Sequence, residues 1–411
     1  MLTPEGKNKK KKPFFSKLIH GFITGNADND PAGISTYTIV GARFGLSLAL
    51  FHILSAPLLI NTQAICARIG DVTKKGLASV ISLYYGKTLA TIAMVLVVTA
   101  NILTLGADFA GVAAGFNLIF PQINILFILP LIAAILWYLV VFKSYKVISR
   151  VLAGLGIIFI SYIITAFLIK PDWLQVAKGI LIPDIQFTSN FWLTAVAMLG
   201  TTITPFLFYW QTAEEIEDHP SVKDVKSEVG QVSWGLIFAI ITSTFIIITS
   251  ALTLNKHNIS VNSAAEAALA LKPLAGDFAS LLFAIGIIGA GLLAIPVLTS
   301  TSAYAIAETF NWRTGLNKKV NQAKGFYTVL TFSFFVGLAI ALLKINPIKM
   351  LFYSQVVNGI ITPFILAMIL KLASKKVIMK KYTIGKTQKT IGWLTVAIML
   401  FASIASFVPI F

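Results

Sequence analysis

Apolar stretches of helical length follow one another along the whole chain, separated by short polar or basic clusters. The pattern predicts eleven membrane spans, at about 15–43, 45–68, 88–116, 122–142, 149–169, 190–213, 229–255, 277–307, 325–344, 349–371 and 391–411. A helix needs about 20 apolar residues to cross about 30 Å of hydrocarbon, and these runs have that length. They are unbroken rather than alternating, which argues against a transmembrane β-barrel. Two spans are interrupted at their middles in the same way. The first carries Asp30-Pro31-Ala32-Gly33, and the sixth carries Thr201-Thr202-Ile203-Thr204-Pro205. Proline removes a backbone donor and clashes with the preceding turn. Polar backbone freed at membrane depth has to line a cavity or be buried in protein. Matched breaks in two halves of a chain point to a transporter whose site lies at the midplane. The expected organisation is a basic cytoplasmic tail (1–14) and a single transmembrane domain (15–411). That domain holds helices 1–5 (about 15–169), helices 6–10 (about 190–371) and an eleventh helix (about 391–411).

Composition strengthens this reading. Hydrophobic residues make up 57% of the 411 and charged residues only 12%, against about 45–50% and about 25% in an average soluble domain. A soluble globular protein is excluded, and the lipid bilayer becomes the first partner. The net charge of +17 would suggest nucleic acid in a soluble protein; here no nucleic-acid partner is expected, because cytoplasmic loops collect Lys and Arg for topological reasons. With the N-terminus cytoplasmic, 26 of the 33 basic residues fall on the inner side and 7 on the outer, the split that the positive-inside rule requires. The Lys371–Lys389 loop serves as an orientation signal, and the acid-rich stretch Glu214–Glu228 is read as a cytoplasmic loop. The expected location is the inner or plasma membrane. The N-terminus lacks a cleavage pattern and is read as a tail rather than a signal peptide. Cys66 is the single cysteine, so neither an intramolecular disulfide nor a thiol zinc site is available.

Three acids fall well inside the predicted spans: Asp28, Asp30 and Asp108. A carboxylate in hydrocarbon costs at least about 2.5–3.5 kcal/mol and by default marks function. Asp30 precedes the proline of the first break and is the leading candidate for a cation ligand; it also suits an N-cap at the positive end of the second half-helix. Asp28, two residues earlier, points to another side of the helix and is open to capping, a vestibule position or ligation. Asp108 either organises the binding region through hydrogen bonds or serves the ion path. In the second break, Thr201 and Thr204 share a face beside Pro205 and are assigned to the site, whereas Thr202 is expected to bond back to its own helix. Gln355, Asn358 and Thr362 form one strip in span ten, where amides bind an ion's waters or hold helices together. His52 is expected to pack between helices, Pro57 and Pro130 to kink theirs, and Tyr353 and Trp393 to anchor at the membrane interface. No phosphate-binding Gly-Lys-Ser/Thr loop is present, which argues against transport driven by ATP, and nothing calls for a cofactor or an enzymatic activity.

These motifs resemble the NRAMP (natural resistance-associated macrophage protein) family of divalent-metal transporters over nearly the whole chain. Asp30-Pro31-Ala32-Gly33 stands where the family has Asp-Pro-Gly-Asn, and Gly200-Thr201-Thr202-Ile203-Thr204-Pro205-Phe206-Leu207 stands in register with Gly-Ala-Thr-Val-Met-Pro-His-Asn. Ala107-Asp108-Phe109-Ala110-Gly111 is similar to Thr-Asp-Leu-Ala-Glu, and Ser354-Gln355-Val356-Val357 to Ser-Gln-Val-Val. The resemblance implies an all-α, LeuT-like fold of two inverted five-helix repeats plus one helix, with helices 1 and 6 broken. It also implies a metal site at Asp30, Gly33, Thr201 and Thr204, with Gln355, Asn358, Asp108 and Asp28 as secondary candidates and Pro31 and Pro205 at the breaks. The departures bear on the ion. The family's metal-binding asparagine and methionine are Gly33 and Thr204 here. A thioether suits softer metals, while oxygen ligands and retained water suit Mg²⁺, Ca²⁺ and Mn²⁺, so the site looks like that of the divergent NRAMP-related magnesium transporters. Phe206, Gln211 and Gly111 replace titratable residues of the family, which implies uptake without proton coupling. The expectation is import of a divalent cation, Mg²⁺ ahead of Mn²⁺, by alternating access, with the cation as substrate. The alternatives are a proton-coupled Mn²⁺/Fe²⁺ importer of the ordinary family type and an amino-acid or other organic-solute carrier of the same fold.

Overall fold

A computed structural model describes residues 30–142, 159–217, 225–343 and 345–407. The described residues form α-helices joined by short turns, with no strand among them. The helices are α1 (Pro31–Phe44), α2 (Ala49–Thr73), α3 (Leu77–Tyr85), α4 (Lys87–Ile119), α5 (Ile125–Phe142), α6 (Ile160–Leu168), α7 (Trp173–Leu181) and α8 (Ser189–Thr202). They continue with α9 (Pro205–Glu217), α10 (Val225–Thr253), α11 (Ala279–Thr309), α12 (Lys324–Ala341), α13 (Pro347–Ala373) and α14 (Lys386–Phe407). Eight helical segments among these residues are long and apolar enough to cross a membrane. The other three expected spans are represented by α1, α5 and α6, each bordering residues outside those described. The short helices α3 and α7 fall in stretches the hydrophobic pattern left as connections. α9 runs on to Glu217, so the start of the acid-rich stretch expected as a loop is helical: the pattern lost the helix where its apolar residues gave way to acids.

Helix ends follow local chemistry. Pro31 and Pro347 open α1 and α13, where a missing N–H is harmless. Thr188 and Asp172 cap α8 and α7 through their side-chain oxygens. Gly86 joins α3 to α4 at φ +82°, a conformation open to glycine at little cost. Pro57 and Pro130 lie inside α2 and α5.

Burial sorts the helices. Every residue of α1 from Pro31 to Ala42 is buried, which puts this helix inside the bundle rather than at its lipid face. The stretch Ser189–Glu217, holding α8 and α9, is 89% buried over its apolar window, against 39% for α14. α4 packs along α11, α12 and α13; α10 packs on α1 and α2; α9 lies against α2 and α11; α14 leans on α8 and α13. The two segments that begin at Pro31 and Pro205 are therefore enclosed by the long helices.

Candidate functional site

Asp30 is extended (φ −72°, ψ 171°) and caps α1, its carboxylate accepting the Gly33 N–H. Only 2% of it is exposed. The one ion pair among the described residues joins Lys74 and Asp71 at 3.5 Å, so no Lys or Arg neutralises Asp30 there. The positive end of α1 is its local compensation. Asp108, on α4, is fully buried, and neither of its carboxylate oxygens has a hydrogen-bond partner among the described residues. It lies within electrostatic reach of the Asp30 carboxylate and the Ala32 amide. Two buried carboxylates thus lie within electrostatic reach of each other, an arrangement that a cation between them relieves. Close packing by small residues allows it: a Cβ on Gly111 would sit 3.0 Å from Pro31 Cβ and 3.3 Å from Leu351 Cδ1.

The second break separates α8 from α9. Pro205 carries no N–H, so the Thr201 carbonyl lacks the donor that a continuous helix would supply four residues on. The Ile203 carbonyl accepts the Thr362 hydroxyl at 2.9 Å. Thr204 Oγ1 is buried and unpaired. Thr202 bonds back to the Met198 carbonyl at 2.8 Å, as expected, and also meets Tyr37 OH at 3.0 Å, which ties α8 to α1. His52 packs beneath this junction with its Nε2 2.7 Å from Ser243 Oγ and its ring 4.8 Å from that of Tyr37, the interhelical role expected of it.

α13 completes the surroundings. Asn358 donates to Thr104 Oγ1 at 3.1 Å and to Gln355 Oε1 at 3.0 Å, and its own Oδ1 is buried without a partner. Thr104 lies one turn from Asp108 on α4. Gln355, whose oxygen is taken by Asn358, holds the amide in place; Asn358 presents the open acceptor. α13 touches the end of α8 backbone to backbone: a Cβ on Gly200 would fall 2.1 Å from the Gln355 carbonyl oxygen, and one on Gly359 2.4 Å from that of Val196. Among the described residues, no cluster of three or more His, Cys, Asp or Glu side chains is arranged to hold a metal. The acceptors available are carboxylate, hydroxyl, amide and backbone oxygens, a hard set without sulfur. Asp28 lies outside the described residues.

Sequence reasoning missed a second group of acids at the other end of the same helices. Glu308, placed just past a span end, is part of α11, is buried, and accepts the Ala78 N–H at 3.1 Å, supplying α3 with the cap that Gly76 cannot. Glu217 accepts from Tyr304, Leu316 and Asn317. Glu215 accepts the Gln211 amide at 2.9 Å. The signal that could have found Glu308 is the capless glycine start of α3, visible only once α3 itself is recognised.

The family described as Natural resistance-associated macrophage protein-like (Nramp) matches residues 21–409. Similar curated proteins include a "Divalent metal cation transporter MntH" of Caldanaerobacter subterraneus subsp. tengcongensis, 26% identical over 95% of this chain and 92% of that protein. Another, with the same description, is from Clostridium acetobutylicum, 26% identical over 93% of this chain and 88% of that protein. Among solved structures, an Eremococcus coleocola manganese transporter in complex with an aromatic bis-isothiourea substituted compound aligns with TM-score 0.77 at 20% identity, covering 97% of this chain and 88% of that one. MhsT in complex with L-phenylalanine aligns with TM-score 0.60 at 15% identity, covering 98% of this chain and 100% of that one. The nucleobase-cation-symport-1 family transporter MHP1 in a closed conformation gives 0.59 at 13% identity over 95% of this chain and 90% of that one. The fold is LeuT-like.

Proposed function

Because the chain belongs to the Nramp family, we propose that it carries divalent metal cations across the membrane by alternating access, with Mg²⁺ as the preferred ion. Asp30 is the charged ligand. Gly33 lets the backbone approach, and the Thr201 carbonyl and Thr204 hydroxyl contribute oxygens from the second break. Asn358 offers its Oδ1 through water, held by Gln355, and Asp108 completes the negative field. The observation that carries this reading is Asp30 itself, a buried carboxylate at the start of α1, within electrostatic reach of Asp108 and with no basic partner among the described residues. An organic-solute carrier presents a half-helix N-terminus to a substrate carboxylate; a second buried acid beside it would repel such a substrate.

Preference for Mg²⁺ rests on the oxygen-only donor set and on small residues that leave room for water. Mg²⁺ dehydrates reluctantly and binds through one or two carboxylates plus several waters. A second reading, Mn²⁺, is favoured by the relatives, whose printed names are manganese and divalent-metal transporters. Transport is uncoupled from protons, since Phe206, Gln211 and Gly111 leave Asp108 as the remaining titratable group near Asp30. The membrane potential suffices as a driving force: a divalent charge gains about 4.6 kcal/mol per 100 mV, twice the single-charge value. The N-terminus is cytoplasmic and the membrane is the plasma membrane, on the distribution of Lys and Arg. Uptake of Mg²⁺ and Mn²⁺ into proteoliposomes carrying an internal pH dye tests all of this. The expected result is Mg²⁺ entry at constant internal pH; acidification in proportion to metal entry would replace uncoupled transport with symport, and no entry of either ion would end the metal reading.

A further inference from the structure

The described part of α9 runs into acids: Glu214, Glu215 and Glu217 lie in its last four positions, and no basic residue stands among them. The Glu217 carboxylate is held by another part of the molecule. Its Oε1 accepts the Tyr304 hydroxyl at 2.8 Å and the Leu316 N–H at 3.1 Å, and its Oε2 accepts the Asn317 amide at 2.6 Å. Tyr304 lies on α11, while Leu316 and Asn317 lie in the loop from α11 to α12. Gly315, at φ +135°, leaves the space the carboxylate fills, since a Cβ there would come within 2.8 Å of Glu217 Oε1. That loop contributes Arg313, Lys318 and Lys319, all exposed, and no acid of its own. The loop and Tyr304 together receive the Glu217 carboxylate of α9.

We infer that Glu217 is a positioning residue for transport, a latch holding α9 on the α11–α12 loop and keeping the cytoplasmic side closed. The inference rests on the alternating-access reading above. α9 begins at the second break, where the Pro205 joint lets it tilt apart from α8, and Glu217 lies twelve residues beyond that joint. Docking Glu217 opposes that tilt with three hydrogen bonds to a charged acceptor. Opening toward the cytoplasm therefore requires the latch to release.

Cys66, the single thiol of the chain, provides the test. It is fully buried on α2, its carbonyl accepts the Thr212 hydroxyl of α9 at 3.3 Å, and its side chain lies within electrostatic reach of Tyr209 on α9. Movement of α9 away from α2 exposes it. The rate at which a membrane-permeant maleimide labels Cys66 in the full-length protein, without added cation, is the readout. Glu217→Ala is expected to raise that rate by about ten-fold, the order expected for losing charge-assisted hydrogen bonds. Glu217→Gln keeps an acceptor for Tyr304 and Leu316, so it should fall between the two, with Tyr304→Phe closer to wild type. Tyr327→Phe removes the 2.8 Å bond from Tyr327 to the Lys318 carbonyl, loosening the same loop from α12 without touching α9, and should leave the rate unchanged. Equal acceleration by Tyr327→Phe and Glu217→Gln would reduce Glu217 to a loop anchor. Labelling at the wild-type rate in Glu217→Gln and Tyr304→Phe, whether or not Glu217→Ala folds, would overturn the latch. Because labelling needs no substrate, a wild type that moves neither Mg²⁺ nor Mn²⁺ would defeat the transport reading and leave the labelling result to be judged alone.

Discussion

Two pairs of buried or half-buried acids sit at different levels of this bundle, and they differ in what they touch. Glu308 and Glu217, near the expected cytoplasmic ends of α11 and α9, are supplied with donors: a capless helix start in one case, a loop and a tyrosine in the other. Asp108, deep in α4, has no hydrogen-bond partner among the described residues for either oxygen, and Asp30 is held only by the start of its own helix. A carboxylate held by donors from a distant segment is structural or mechanical. One left short of them in the interior costs stability unless something else arrives. The contrast between acids docked on distant segments and acids that are not separates the frame of the molecule from its candidate site better than burial alone, which all but Glu217 share.

The contrast can be broken by substitution. The largest effect is expected at Asp30: Asp30→Ala should abolish both metal uptake and the thermal stabilisation of the purified protein by Mg²⁺ or Mn²⁺, and stabilisation that survives would put the ion elsewhere. Next comes Glu308→Ala, which strips the cap from a buried helix start and should lower stability by about 1–3 kcal/mol, measured as a fall in melting temperature, while the metal-induced shift persists. Asp108→Asn should do the reverse, leaving the melting temperature of the metal-free protein equal or higher while reducing metal uptake; a marked loss of stability would show that Asp108 has structural partners after all. Thr204→Met sharpens the comparison on the ligand side by adding a thioether, and should move relative preference toward Mn²⁺ by about ten-fold, or about 1.4 kcal/mol, in competitive uptake. The smallest effect is expected from Tyr37→Phe, which removes one hydrogen bond between α1 and α8 and should cost about 1 kcal/mol with ion preference unchanged.

Much of this architecture was legible in the chain because hydrocarbon imposes length and apolarity on whatever crosses it. The break at Pro205 and the helix start at Pro31 were readable for the same reason: proline acts through its own covalent structure, whatever surrounds it. Thr202 and His52 took the packing roles their types suggested. What stayed hidden depends on contacts between distant segments. Gln355 and Asn358 are alike as amides on one helical strip, and only Thr104, on another helix, makes one the holder and the other the open acceptor. Glu308 fell one residue beyond an apolar run, and its partner Ala78 is 230 positions away. Glu217 read as part of a polar loop because acids at a helix C-terminus are a poor helix signal, and the loop that rescues them follows a hundred residues later.

The missing side chains at Gly200 and Gly359 carry a mechanical consequence. With main chain resting directly on main chain, α8 and α13 cannot slide or part without forfeiting an interface that has no flexible groups to adapt, so they behave as one stiff spar. The Thr201 oxygen rides on that spar, whereas Thr204 lies past its end, in the joint before Pro205. On the proposed site, coordination at the second break would be divided between a stiff side and a jointed one, and a cation leaving for the cell interior would lose its oxygens one at a time instead of all at once.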